Sequence, residues 1–325
     1  MKKPKPKTRI LITIGDVNGI GPEIILKSLK HKYISSGYDI TVISPASVIE
    51  YYSKLLGINI NRLKFKLIDF PDIKPEIKPG KVNSESGRIS ASAISLAAEL
   101  CMNGYFNALV TAPISKKSFE NAGVKYDGHT EMLEHLSGSS GTCMMMLSDK
   151  LRLALVTNHP PLRMISKMIS AQSVFNKLET CLNALRKDLN IKYPKIAVLG
   201  LNPHAGDEGK LGDEEITVII PAIKAFKRKH KKVIIEGPFS SDSYFAAGRY
   251  KDFDLTLAMY HDQGLIAFKM ISAYRGINFT AGLTFVRTSP DHGTAFDIAG
   301  KNTADETSMV QAIKFADLIH KNRIN

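Results

Sequence analysis

The chain has no tryptophan and only 3 cysteines in 325 residues. Cys101, Cys143 and Cys181 are odd in number and widely spaced. That excludes a disulfide framework, argues against a thiolate zinc site and suits a reducing compartment. No run approaches the roughly 18 uninterrupted apolar residues that a membrane-spanning helix needs. The opening "MKKPKPKTRI" is basic, but the apolar stretch after it, Ile10 to Ile14, is interrupted by Thr13 and ends at Gly15. A secretory leader needs a longer apolar region and a small-residue cleavage site, so a cytoplasmic protein with no membrane partner is expected.

Acidic residues are also scarce: 31 Asp and Glu stand against 44 Lys and Arg, a formal net charge of +13. Part of the surplus lies in the N-terminal tail and part in "KAFKRKHKK" (224–232). No aromatic-interleaved basic patch and no nucleic-acid reader motif accompanies it. The surplus therefore reads as a solvated face that attracts anionic metabolites, with nucleic-acid binding as the distant alternative.

What is present is a hydrophobic content of 44%, enough for one full core or two smaller ones. Apolar runs at 9–15, 39–44, 63–69, 107–112, 142–148, 152–157, 195–201, 232–237 and 255–260 predict strands. Helices are predicted around 22–31, 46–57, 84–103, 170–189, 213–229 and 305–321; Ile89, Ala93, Leu96 and Leu100 repeat at helical spacing, and Thr303 with Glu306 reads as a capping box for the last. The alternation predicts an α/β protein with a largely parallel sheet, whose ligands bind beyond the carboxyl ends of the strands. The Pro/Lys-rich "FPDIKPEIKPGKV" (70–82) reads as an exposed connection.

Five of the nine histidines sit in turn-like contexts: "DGHTE" (His129), "TNHPP" (His159), "NPHAGD" (His204), "YHDQG" (His261) and "PDHGT" (His292). His159, His204 and His261 each follow a strand candidate, so a parallel sheet can bring them together. Three neutral imidazoles with open positions would make a catalytic divalent-metal site; a structural hydrogen-bonding role for each is the alternative. Asp242 and Asp262 add carboxylates in similar places, with helix N-capping as the alternative reading. Lys269, Asn278 and Arg287 together could hold an anion, Arg as a planar fork and Lys as a point charge. The turn "ITIGDVNGIGPE" (12–23) matches neither a dinucleotide fingerprint nor a Walker motif, and a structural tight turn is as good a reading as ligand contact.

Five stretches together carry a family resemblance: "GHTE", "NPHAGDEGKLGDEE", "LAMYHDQGLIAFK", "RGINFTAGLTFVRTSPDHGTAFDIAG" and the "GIGPE" turn. In this order, over nearly the whole chain, they resemble the 4-hydroxythreonine-4-phosphate dehydrogenases of pyridoxal phosphate biosynthesis. The resemblance implies an NAD-dependent, divalent-metal-dependent oxidation of 4-phosphooxy-L-threonine. Its 3-oxo acid product, 2-amino-3-oxo-4-phosphooxybutanoate, loses its carboxylate to yield 3-amino-2-oxopropyl phosphate. By position, His159, His204 and His261 match the family's metal ligands, the metal being zinc, cobalt, magnesium, nickel or manganese. His129 and Thr130 match a substrate-binding pair, and Lys269, Asn278 and Arg287 the other substrate contacts. Lys269, Asp242 and Asp262 are the candidates for moving the hydroxyl proton.

The implied fold is that of the isocitrate and isopropylmalate dehydrogenases: two α/β/α domains with a cleft between them, expected as 1–112 with 262–325 and as 113–261. The implied assembly is a homodimer with the metal site shared between subunits. "HGTAFDIAGK" resembles the adenosine-binding loop of those enzymes. His292, Gly293, Thr294 and Ala295 would then line the cofactor, and Asp297 would hold the ribose hydroxyls and repel a 2′-phosphate, with a helix cap as the alternative for Asp297. The early turn reads "GDVNGIGPE" where the family usually has "GEPAGIGPE", and "NHPPL" stands for the usual "THLPL". Relatives acting on phosphorylated sugar acids such as phosphothreonate share the ligands, so a same-fold dehydrogenase of another phosphorylated hydroxy acid is the alternative.

Overall fold

Ile10, Leu11 and Ile12 are wholly buried in succession, as parallel strands covered on both faces require. They belong to a computed structural model that describes residues 6–325; the first five residues of the basic tail lie outside the described residues. The chain forms two units, Met1–Ser139 with Leu283–Asn325, and Ser140–Gly282. Along the first unit run β1 (Arg9–Thr13), α1 (Gly21–Lys30), α2 (Lys32–Gly37), β2 (Asp39–Ile43), α3 (Ala46–Leu56) and β3 (Lys66–Ile68). They are followed by α4 (Ser84–Met102), β4 (Ala108–Thr111), α5 (Lys116–Asn121) and α6 (His129–Ser137). The second unit holds β5 (Cys143–Leu147), β6 (Arg152–Leu155), α7 (Ile165–Met168), α8 (Ala171–Lys187), β7 (Lys195–Leu199) and α9 (Ile220–Lys229). It continues with β8 (Ile234–Phe239), α10 (Ser241–Ala246), β9 (Leu255–Ala258), α11 (His261–Ser272) and β10 (Ile277–Ala281). The chain then returns to the first unit as β11 (Val286–Pro290) and α12 (Thr307–Ile324).

In the first unit the strands β3, β2, β1, β4 and β11 pair in parallel in that order. Its core includes Leu11, Ile43, Ile94, Leu109, Phe119, Leu133 and Phe285. Asn83 starts α4 by accepting the Ser86 amide at 2.7 Å, and the helical repeat turns Ile89 and Ala93 inward while Leu96 and Leu100 stay partly buried. In the second unit β10 and β6 flank β5 antiparallel, after which β6, β9, β7 and β8 pair in parallel. Leu153, Leu155, Leu199, Tyr244 and Phe268 lie in its core. The unit boundaries fall at 139 and 282, whereas the sequence reading placed them at 112 and 261. The cause is local: α5 and α6 pack on α4, and β10 pairs with β5.

Several predicted elements need correction. β10 and β11 were not expected, because β11 buries Arg287, Thr288 and Ser289 and so lacks an apolar pattern. The helix expected over 213–229 is a π-helical turn, Glu215–Ile219, leading into α9; Pro221 cannot donate into a continuous α-helical ladder. The capping box proposed for the last helix does not form. Glu306 is the N-cap, its side chain bonding His31 Nε2 at 3.0 Å and no helix amide, and Asp305 Oδ1 accepts the Thr307 amide at 2.7 Å. His129 and His261, expected in turns, are the first residues of α6 and α11. The basic run ends α9, where Lys227, Arg228 and Lys229 oppose the negative end of the helix, and Lys229 and His230 both reach Glu179. Among the described residues no helix is long and apolar enough to cross a membrane.

Candidate active site

In the second unit, β6, β9 and β7 are adjacent and parallel. The chain leaving their carboxyl ends carries His159, His261 and His204 respectively. The rings of His159 and His261 lie 5.4 Å apart, centroid to centroid, tilted by 44°. His261 donates Nδ1–H to Asp262 Oδ1 at 2.7 Å, an arrangement that orients the imidazole and turns Nε2 away from that bond. Asn158, His159, Pro160, Tyr260, His261 and Asp262 line one cavity here. A neighbouring one, which shares Tyr260 and Asp262, is lined by His204, Ser240 and Asp242 among others.

His204 stands on an unusual turn. His204, Ala205, Gly206, Asp207 and Glu208 all have positive φ, from 41° to 85°. For a residue other than glycine that conformation costs roughly 1–2 kcal/mol, so the turn must be held from outside itself. Among the described residues, no three His, Cys, Asp or Glu side chains lie close enough to hold a metal ion. One chain therefore brings together two of the three predicted ligands, and His204 stands apart. The paired imidazoles, one fixed by a carboxylate, suit a divalent transition metal in kind.

The remaining nominated residues of this unit differ in availability. Asp242 accepts the Ser240 hydroxyl at 2.6 Å, and that bond, with the Ser243 amide, holds its carboxyl below the usual range. Asp242 lies in the first turn of α10 and is not its N-cap, which is Ser240. Lys269 is exposed on α11. Asn278 lies on β10, and its Oδ1 is buried without a hydrogen-bond partner.

The first unit holds a basic cluster of different character. Arg287 on β11 is 2% exposed, and its Nε and Nη2 donate to Thr111 Oγ1 at 3.1 and 2.7 Å. Burial lowers its pKa to about 10, against the pull of Glu131. His129 begins α6, one residue before Thr130. Burial, and then the Arg287 charge, holds the His129 imidazole well below its usual range, so it is neutral at pH 7. Its Nε2 is buried and has no partner.

The loop 292–297 packs on the glycine turn. Ile20 donates its amide to the Thr294 carbonyl at 3.0 Å, and a Cβ on Gly19 would come within 3.0 Å of Thr294. The turn itself is braced from within. Asp16, wholly buried, accepts from the Asn18 amide and from the hydroxyls of Ser86 and Ser118. The Tyr52 hydroxyl donates to the Val17 carbonyl at 2.9 Å. The 70–82 segment forms neither helix nor strand and is pinned to the turn, Gly80 N to Asn18 O at 2.8 Å. A Cβ on Gly293, by contrast, would meet nothing within 4 Å. His292 Nε2 is buried without a partner, Ala295 has a φ of 42°, and Asp297 is exposed in a turn, capping no helix. Sequence reasoning missed Asp16 as a brace and Asn158, whose buried Oδ1 also has no partner. Its place directly before His159 was the available signal.

Residues 27–316 match the family model described as pyridoxal phosphate biosynthetic protein PdxA. A 4-hydroxythreonine-4-phosphate dehydrogenase from Prosthecochloris aestuarii is 41% identical over 96% of this chain and 97% of its own. A D-threonate 4-phosphate dehydrogenase from Pectobacterium atrosepticum is 36% identical over 94% of this chain and 98% of its own. Among solved structures, the 4-hydroxythreonine-4-phosphate dehydrogenase of Klebsiella pneumoniae superposes with a TM-score of 0.85 at 34% identity, covering 98% of this chain and 99% of that one. Isocitrate dehydrogenase from Methylococcus capsulatus shares the fold alone, with a TM-score of 0.51 at 11% identity over 94% of this chain and 83% of that one.

Proposed function

The chain belongs to the PdxA family of pyridoxal phosphate biosynthetic proteins and is a dehydrogenase, and from that premise we propose that it oxidises 4-phosphooxy-L-threonine with NAD in the cytoplasm. The C3–H bond breaks as a hydride, the C3 hydroxyl loses its proton, and the resulting 3-oxo acid releases C1 as carbon dioxide while C2 takes up a proton, which leaves 3-amino-2-oxopropyl phosphate. When bound, NAD supplies the hydride acceptor and a divalent ion supplies positive charge against the C3 oxygen. His159, His204 and His261 would hold the ion.

The chain's own residues then bind and orient. Arg287 offers a desolvated guanidinium to the phosphate, and neutral His129 with the Thr130 hydroxyl offers uncharged hydrogen bonds beside it. In the second unit, Asn278 offers its amide to the substrate. Asp262 is engaged by His261 and Asp242 by Ser240, so we assign proton transfer to Lys269. His292 and the small residues Gly293, Thr294 and Ala295 would border the adenosine, with Asp297 on its ribose. One observation carries the reading: the buried, unpartnered polar atoms include His129 Nε2, Asn278 Oδ1 and His292 Nε2, each on a residue nominated for ligand contact. Leaving such an atom unsatisfied costs about 1–3 kcal/mol, which a ligand would recover.

We also propose a homodimer that completes the metal site. Ile266 and Met270 on α11 and Tyr274 just after it are 62%, 80% and 73% exposed, and Leu162, close after His159, is 75% exposed. An apolar stripe of this kind beside two imidazoles fits a second copy that supplies the missing ligand. The alternative substrate is D-threonate 4-phosphate, favoured by the Pectobacterium relative's identity over nearly the full chain. Turnover on both compounds, followed as NADH formation, decides. Activity confined to the amino acid supports the first reading, and activity confined to the sugar acid replaces it.

A further inference from the structure

Glu215 is a buried carboxylate, 2% exposed, that neither the sequence reading nor the proposed chemistry uses. It opens the π-helical turn before α9 and reaches back to the chain leaving β7. Its Oε1 accepts the backbone amides of Leu201 at 2.6 Å and Asn202 at 2.8 Å, and its Oε2 accepts Asn202 Nδ2 at 3.0 Å. A Cβ on Gly206 would lie 2.7 Å from Oε2, and one on Gly200 would lie 2.9 Å from Oε1 and 3.0 Å from Ala205. Carboxylate, strand exit and left-handed turn are thus interlocked.

Apolar packing does little to hold the turn. His204, Asp207 and Glu208 are exposed, and within Pro203–Gly209 only Gly206 is buried. The positive φ values must therefore be maintained by polar bonds: Glu215 fixes the Leu201 and Asn202 amides at its base, Glu214 shares Asn202 Nδ2 at 2.7 Å, and the Ala205 and Leu211 amides donate to the Asn202 and Gly206 carbonyls. We propose that Glu215 is a positioning residue that sets the turn presenting His204, and through it the affinity of the histidine site for a divalent ion. The proposal rests on the reading that His204 is a metal ligand. Loss of such an outer partner typically weakens metal affinity by about 10- to 100-fold.

The test titrates cobalt(II) into the full-length metal-free protein and follows its visible absorption, for the wild type, Glu215→Ala, Glu215→Gln and His204→Ala. Glu215→Ala should weaken cobalt binding by about 10- to 100-fold and change the ligand-field spectrum, with Glu215→Gln between it and the wild type. The dissociation constant for NAD should stay that of the wild type in all three variants, which a general loss of structure would not allow. Cobalt affinity within about twofold of wild type in both Glu215 variants, with His204→Ala impaired, overturns the positioning role alone. If His204→Ala binds cobalt like the wild type, the metal-ligand reading fails and this proposal fails with it. Should Glu215→Ala not fold, Glu215→Gln keeps the side-chain volume and carries the same comparison.

Discussion

Arg287→Met should separate folding from function. The guanidinium is 2% exposed and burial lowers its pKa to about 10. A folded-state pKa below the unfolded one means that the native state resists the charge. The penalty is fully present below about pH 10 and is relieved as pH rises toward the unfolded value. A shift of that size corresponds to roughly 3 kcal/mol of destabilisation at pH 7. Methionine removes the penalty and keeps most of the volume, but it leaves Thr111 Oγ1 without its two donors, which costs about 1–3 kcal/mol. Losing these donors and the attraction of Glu131 opposes that gain, so the variant should stay within about 2 kcal/mol of the wild type. On the proposed role of Arg287, turnover should collapse, because the substrate phosphate loses its counter-charge. Urea unfolding with and without inorganic phosphate provides the assay. Phosphate should raise the midpoint of the wild type and not of Arg287→Met. A variant destabilised by more than about 2 kcal/mol with an unchanged KM for the phosphorylated substrate would refute the reasoning and make Arg287 a structural residue.

Asp297→Ala should raise the KM for NAD roughly tenfold to hundredfold and narrow the preference for NAD over NADP. Because Asp297 is exposed and caps no helix, its Tm should not move, and an unchanged NAD constant would sink the ribose assignment. For His129, held neutral by burial, the unfolded chain takes up a proton that the folded one refuses. Stability should thus fall as pH drops below about 6.5, the unfolded value. His129→Gln should flatten that dependence in urea melts, and an identical pH profile in the variant would contradict it. Met270→Glu should yield a monomer by sedimentation and weaken metal retention together; a dimeric variant with full metal content would remove this face from the interface.

The α/β class and the strands with their carboxyl-end histidines were legible in the sequence. In runs such as "RILITIG" and "KIAVLGL" nearly every buried position is apolar, Thr13 being the exception, and a parallel strand covered on both faces demands that. The glycine turn was legible as a turn for the same kind of reason, since Gly15 holds a φ of 73° against Pro113. β11 was not legible, because Arg287, Thr288 and Ser289 are buried through partners far along the chain, such as Thr111 and the Ala312 carbonyl. Nor could spacing along the chain show that His159 and His261 meet while His204 stands apart. The order β6–β9–β7 puts those strand ends side by side, but a left-handed turn tied to Glu215 decides where the third imidazole sits. Local sequence specifies periodicity and turn chemistry. Which polar groups end up buried, and against what, is a property of long-range pairing, so it belongs to the tertiary structure.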